Sequence, residues 1–138
     1  MNRFDEVIYG VLNKARDSRR ENVLVRMLCG LNREEALEHV WELISNNSPA
    51  ALDIAKRVIK HKSGKIKIFR HYVRKADASS IQYILEFGLS GLGEKEVIRI
   101  LKEYCSNDPT LWEKCSYWLP SLVSTTGIES LKNAVEGE

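Results

Sequence analysis

The chain has 138 residues, with 21 lysines and arginines against 19 aspartates and glutamates, and 43% of its residues are hydrophobic. That length and mix suit one soluble globular domain, residues 1–138, which can bury a core without disulfides or metals; three prolines and eight glycines exclude a linker-rich or disordered chain. No apolar run is long enough to cross a bilayer, and the opening MNRFDEVIYG carries acidic residues where a secretory signal needs an apolar core, so the expectation is a cytoplasmic protein with no membrane partner.

Phe4, Val7, Ile8, Val11, Leu12 and Ala15 recur at the i, i+3, i+4, i+7, i+8 and i+11 spacing of an amphipathic helix. Ser18-Arg19-Arg20-Glu21 has the form of a capping box, and Leu24, Met27, Leu28 and Leu31 continue a second helix from it. Asn32 caps a third helix with Leu37, Val40, Trp41 and Ile44. Ser48-Pro49 opens a fourth, with proline at the first helical position, where its missing amide costs nothing.

Ser63-Gly64 reads as the turn that follows. Lys65-Ile66-Lys67-Ile68 alternates like a strand, but Ile66, Phe69, Val73 and Ala76 hold helical phase for three turns and predict a helix. Asp77 begins the next helix, with Ile81, Ile84, Leu85 and Gly88 in phase, and the loop from Gly88 to Gly93 ends it. Val97, Ile98, Leu101, Tyr104 and Cys105 form another stripe. Asp108-Pro109 caps the helix of Leu111, Trp112, Cys115, Trp118 and Leu122, which Pro120 should kink or end, and a terminal helix carries Ile128, Leu131 and Val135.

The cap positions Ser18, Ser48, Asp77 and Asp108 are 30, 29 and 31 residues apart, with a second break between each pair. About nine helices follow: one extra, then four pairs at a period near 30, the pattern of an α-solenoid whose hairpins bury their apolar faces on each other. An irregular helical bundle is the alternative. Through Ser48-Pro49 and Asp108-Pro109 at helix starts, and Leu85 to Gly93 at a hairpin turn, the chain resembles the HEAT-like repeat family, particularly its short-repeat members. The resemblance covers most of the chain in periodicity. It implies stacked antiparallel helix pairs and a scaffold that binds proteins or nucleic acids; a minority of that family acts on DNA bases, and no residue here matches such an active site.

The stretch KRVIKHKSGKIKIFRHYVRK, residues 56–75, holds nine lysines and arginines, two histidines and no acid, whereas the rest of the chain is acidic overall. Helical geometry puts Lys56, Arg57 and Lys60 opposite Leu52, Ala55 and Ile59, and puts Lys67, Arg70, His71 and Arg74 opposite Ile66, Phe69 and Val73. Lys62 and Lys65 sit at the tip between the two stripes. Lys56, Arg57, Lys60, Lys62, Lys65, Lys67, Arg70 and Arg74 are therefore the candidate contacts to nucleic-acid phosphates, on DNA or RNA. Two other outcomes compete: docking of an acidic protein or a second copy, and neutralisation by Glu34, Glu35, Glu38 and Glu42 of the third helix.

Trp112 and Trp118 are the candidate protein-docking residues, against a wide buried face under the terminal helix. The helix that bears Tyr83 and Phe87 is apolar nearly all round, which predicts a buried, central helix; an exposed aromatic stripe at Tyr83 and Phe87, marking a partner groove, is the alternative. For catalysis the sequence offers little. His39 among its glutamates lacks both the paired Glu-x-x-His and the His-Glu-x-x-His arrangement of metal sites. Ser63-Gly64-Lys65 lacks the upstream glycine of a phosphate loop, and Gly88 to Gly93 has the wrong order for a dinucleotide motif. The expectation is a non-enzymatic binding module with no catalytic residue, metal or cofactor, and with Cys29, Cys105 and Cys115 as buried thiols in a reducing compartment.

Overall fold

Apolar residues at three- and four-residue spacing produce helices along the chain. A computed structural model describes residues 3–12 and 16–136, and among them nine α-helices and no strand are found. These are α1 (Arg3–Leu12), α2 (Ser18–Cys29), α3 (Arg33–Ser45), α4 (Ala51–Val58), α5 (Lys62–Lys75), α6 (Ile81–Leu92), α7 (Glu94–Cys105), α8 (Pro109–Leu122) and α9 (Thr125–Val135). No helix among the described residues is long and apolar enough to cross a membrane. The chain divides into two compact units, one ending at Gly64 and the other beginning at Lys65. Ala15, expected on the first helix, lies outside the described residues.

In the first unit α1 packs on α2, α2 on α3, α3 on α4, and α2 also directly on α4. Leu24 and Leu28 of α2, Val40, Leu43 and Ile44 of α3, and Ile54 and Ala55 of α4 are buried between them. Asp17, not Ser18, caps α2: it is extended, and its carboxylate accepts from the Arg19 and Arg20 amides. Glu21 closes the cap by accepting the Asp17 amide at 3.2 Å. The buried Glu21 carboxylate is matched by Arg16, which donates to both its oxygens at 2.7 Å and to Asp53 of α4 at 2.8 Å. The guanidinium holds Glu21 below the usual carboxylate range, and the pair ties the segment before α2 to α4.

Asn32 caps α3 as expected, accepting the Glu35 amide. α4 starts later than expected. Ser48 accepts the Ala50 amide in a turn of its own, so Pro49 stays outside the helix. The break that follows lies at Ile59 to His61, where Ile59 turns extended, and Ser63 and Gly64 fall in the first turn of α5 instead of in a loop.

In the second unit α6 packs on α7 and α8 on α9, while α6 also packs on α8, α7 on α9 and α7 on α8. Phe69, Ile81, Leu85, Ile100, Leu101, Cys115, Leu119 and Leu131 fill the core. Asp77 makes a turn instead of a helix start: its Oδ1 accepts from the Ser79 and Ser80 amides, and α6 begins at Ile81. Gly88 does not end α6. The helix runs through it to Leu92, and Gly88 meets the Phe69 ring so closely that an added Cβ would stand 2.6 Å from it. The stop is Gly93, whose φ of 87° favours glycine.

Asp108 caps α8 by accepting the Leu111 amide, with Pro109 first in the helix, as the sequence indicates. Pro120 lies within the helix, which ends two residues later at Leu122. Glu94 at the start of α7 accepts the Ser124 amide at 2.8 Å and the Ser124 hydroxyl, joining the starts of α7 and α9. Cys105 and Cys115 are buried as expected; their mutual hydrogen bond, with burial, pushes the Cys115 thiol up. Cys29, at the end of α2, is exposed, which corrects the expectation of three buried thiols.

Candidate nucleic-acid interface

The eight expected phosphate contacts fall four to each unit. In the first, Lys56, Arg57, Lys60 and Lys62 are all exposed, and they follow one another through the last turn of α4, the break after it and the start of α5. Leu52, Ala55, Val58 and Ile59 are buried on the other side, which forces the charged neighbours outward. Arg57 donates to the uncharged amide oxygen of Asn22 at 2.8 Å, so its charge is held in place without being cancelled. Neither Lys56 nor Lys60 makes an ion pair with any described residue.

The second set is more deeply engaged in its own fold. Lys65 is half-buried and donates to the Gly91 carbonyl at 3.4 Å. Arg70 lies 2.7 Å from Glu103, donates to the Tyr104 hydroxyl at 3.1 Å and sits 5.6 Å from the centre of that ring. Tyr104 and Glu103 hold the Arg70 guanidinium more firmly protonated than usual. Arg74 donates to the Arg70 carbonyl and also approaches the Tyr104 ring, at 5.8 Å. Lys67 and Arg74 are exposed. Burial lowers the His71 pKa, with Lys75 and Arg74 acting in the same direction, so the imidazole adds little charge near neutrality.

The glutamate that meets Arg70 is Glu103 of α7, not one of Glu34, Glu35, Glu38 or Glu42. Glu103 stands 33 positions along the chain from Arg70, beyond the reach of local spacing. Sequence reasoning also missed Arg33. Together with Lys60 and His61 it forms the polar rim of a groove of about 510 Å³ in the first unit, floored by Leu28, Val58 and Ile59.

Trp112 and Trp118, the expected docking residues, are both half-buried on α8. The side chain that projects is Tyr117, 76% exposed and edge-on to Trp118 with ring centres 5.1 Å apart. On α6, Phe87 is buried and Tyr83 is 47% exposed, so no two-residue aromatic stripe forms. Among the described residues no group of three or more His, Cys, Asp or Glu side chains is placed to hold a metal ion. No family model, curated protein or solved structure matches the chain.

Proposed function

We propose that the chain is a binding module, not an enzyme, whose exposed cations at 56–62 hold nucleic-acid phosphates. The observation that carries this reading is the run Lys56, Arg57, Lys60 and Lys62, four exposed cations in seven residues, with Arg57 steadied by a neutral partner. Such a strip recognises the repeated charge of a sugar-phosphate backbone and tolerates any sequence. Arg70 and Lys65, which the sequence alone placed in the same set, serve the fold of the second unit instead. We further propose that the chain repeats a HEAT-like helix pair. Its support is the helix starts at Ser18, Ala51, Ile81 and Pro109 and at Arg33, Lys62, Glu94 and Thr125, which keep a spacing of about 30 residues. Free thiols fit a cytoplasmic location.

The experiment is fluorescence anisotropy with a labelled 20-mer, comparing wild type with the Lys56→Glu/Arg57→Glu/Lys60→Glu variant. Loss of at least about 100-fold in affinity at low salt is expected, because three contacts change sign. Equal binding by both proteins would overturn the assignment. A second reading, a protein scaffold, draws on Tyr117: exposed aromatics next to a half-buried ring make interface anchors. It predicts a partner complex that weakens with Tyr117→Ala and is insensitive to salt.

A further inference from the structure

We infer that the groove of the first unit seats one unpaired nucleotide, so that the chain prefers single-stranded nucleic acid to duplex; the inference rests on the phosphate-binding reading above. A strip that only grips phosphates has no use for an apolar cavity beside it. Yet Lys60 belongs to both features: it continues the charged run from Lys56 and Arg57, and it stands on the rim of the groove. The groove measures about 510 Å³, within the range of roughly 300–1,000 Å³ that takes a small-molecule-sized group.

Its chemistry matches the two ends of a nucleotide. Leu28, Val58 and Ile59 close the groove from beneath, and half-buried Leu31 on its wall gives the apolar surface that the face of a base meets. Arg33 and His61 add two planar groups, and both guanidinium and imidazole planes stack on unpaired bases. Arg33 and Lys60 supply positive charge for the attached phosphate, and no acidic residue lines the groove. None of Arg33, Lys60 and His61 has an ion pair or side-chain hydrogen bond with a described residue, so these groups can meet a ligand without breaking the fold. In a duplex each base is already stacked and paired, and entering the groove requires its extrusion first; a single strand presents its bases without that cost.

Cys29 also lines the groove, and with Cys105 and Cys115 buried it is the exposed thiol of the three. Iodoacetamide labelling of Cys29, followed by mass spectrometry, therefore reports occupancy directly. The probes are an oligo-dT 20-mer, an oligo-U 20-mer, a 20-base-pair duplex and polyglutamate, each at a concentration that saturates any binding seen by anisotropy. At least one single strand is expected to slow labelling about tenfold, while duplex and polyglutamate change it less than twofold. Cys29→Trp, which fills the groove from an exposed position, should bring single-strand and duplex affinities to within about twofold of each other. Lys56→Ala/Arg57→Ala should weaken both forms alike.

Nucleic acid that binds without protecting Cys29, or that binds equally well as duplex and single strand, would overturn the inference and leave the phosphate reading intact. Protection by polyglutamate equal to that by the single strand would overturn it in favour of an acidic protein segment. Absence of any nucleic-acid binding would overturn both.

Discussion

Substituting alanine for Gly88 tests the closest helix approach in the second unit. The added methyl would lie 2.6, 2.8 and 3.1 Å from three carbons of the Phe69 ring, and Phe69 is itself fully buried, so the ring has no open space to swing into. Overpacking costs about 1–3 kcal/mol, and two contacts below 3.0 Å against a fully buried ring put this site in the upper half of that range, at about 2–3 kcal/mol. Alanine in a helix interior recovers about 1 kcal/mol relative to glycine, which leaves a net loss of about 1–2 kcal/mol. With a urea slope of about 2 kcal/mol per molar, the middle of the usual range, the unfolding midpoint should fall by about 0.5–1 M, read by far-ultraviolet circular dichroism. The double variant Gly88→Ala/Phe69→Leu should be more stable than the sum of the two single losses predicts, because the smaller side chain relieves the clash. If Gly88 instead ended the helix, alanine would also destabilise, but Phe69→Leu would bring no relief. Additive losses, or a Gly88→Ala protein as stable as wild type, would refute the packing argument.

Two further predictions concern titrating groups. Glu21→Gln removes the charge that Arg16 neutralises and should cost about 2–3 kcal/mol in urea unfolding. In the wild type the same group predicts acid sensitivity: the Arg16 hydrogen bond lowers its folded pKa from 4.5, so its contribution is present above that pH and is lost as pH falls through the folded value, a trend that Glu21→Gln should flatten. Burial raises the Tyr72 pKa from 10.0 to about 12, so its contribution is complete below pH 10 and is lost between pH 10 and about 12. Tyr72→Phe should resist alkaline unfolding in that window better than wild type; an identical alkaline midpoint for the two proteins would contradict the assignment.

The helices were legible in the sequence because each buries a stripe at a fixed local spacing, and Leu24, Val40, Ala55, Leu85, Leu101 and Leu131 are where that spacing places them. Asn32 was legible as a cap because it is the one short polar residue ahead of its helix, and Asp108 because Pro109 follows it at the first helical position. At α2 two such residues, Asp17 and Ser18, stand together, and the backbone takes the carboxylate. Gly88 was misread as a breaker because its reason for being glycine is Phe69, 19 positions away. The same limit applies to charge. Local spacing shows which side of a helix Arg70 occupies, but not that Glu103 and Tyr104 stand there to receive it. The groove at Arg33, Lys60 and His61 joins residues 28–36 to residues 58–61, and nothing local to either stretch shows that it meets the other.

The central claim is that Lys56, Arg57, Lys60 and Lys62 replace counterions on a phosphate backbone, and the salt dependence of binding tests it most directly. Each neutralised phosphate on a single strand contributes about −0.7 to the slope of log affinity against log salt. Wild type with a labelled 20-mer should give a slope near −3, and Lys56→Ala/Arg57→Ala/Lys60→Ala should reduce its magnitude to below about 1. A slope near zero for wild type, or the same slope in both proteins, would contradict it.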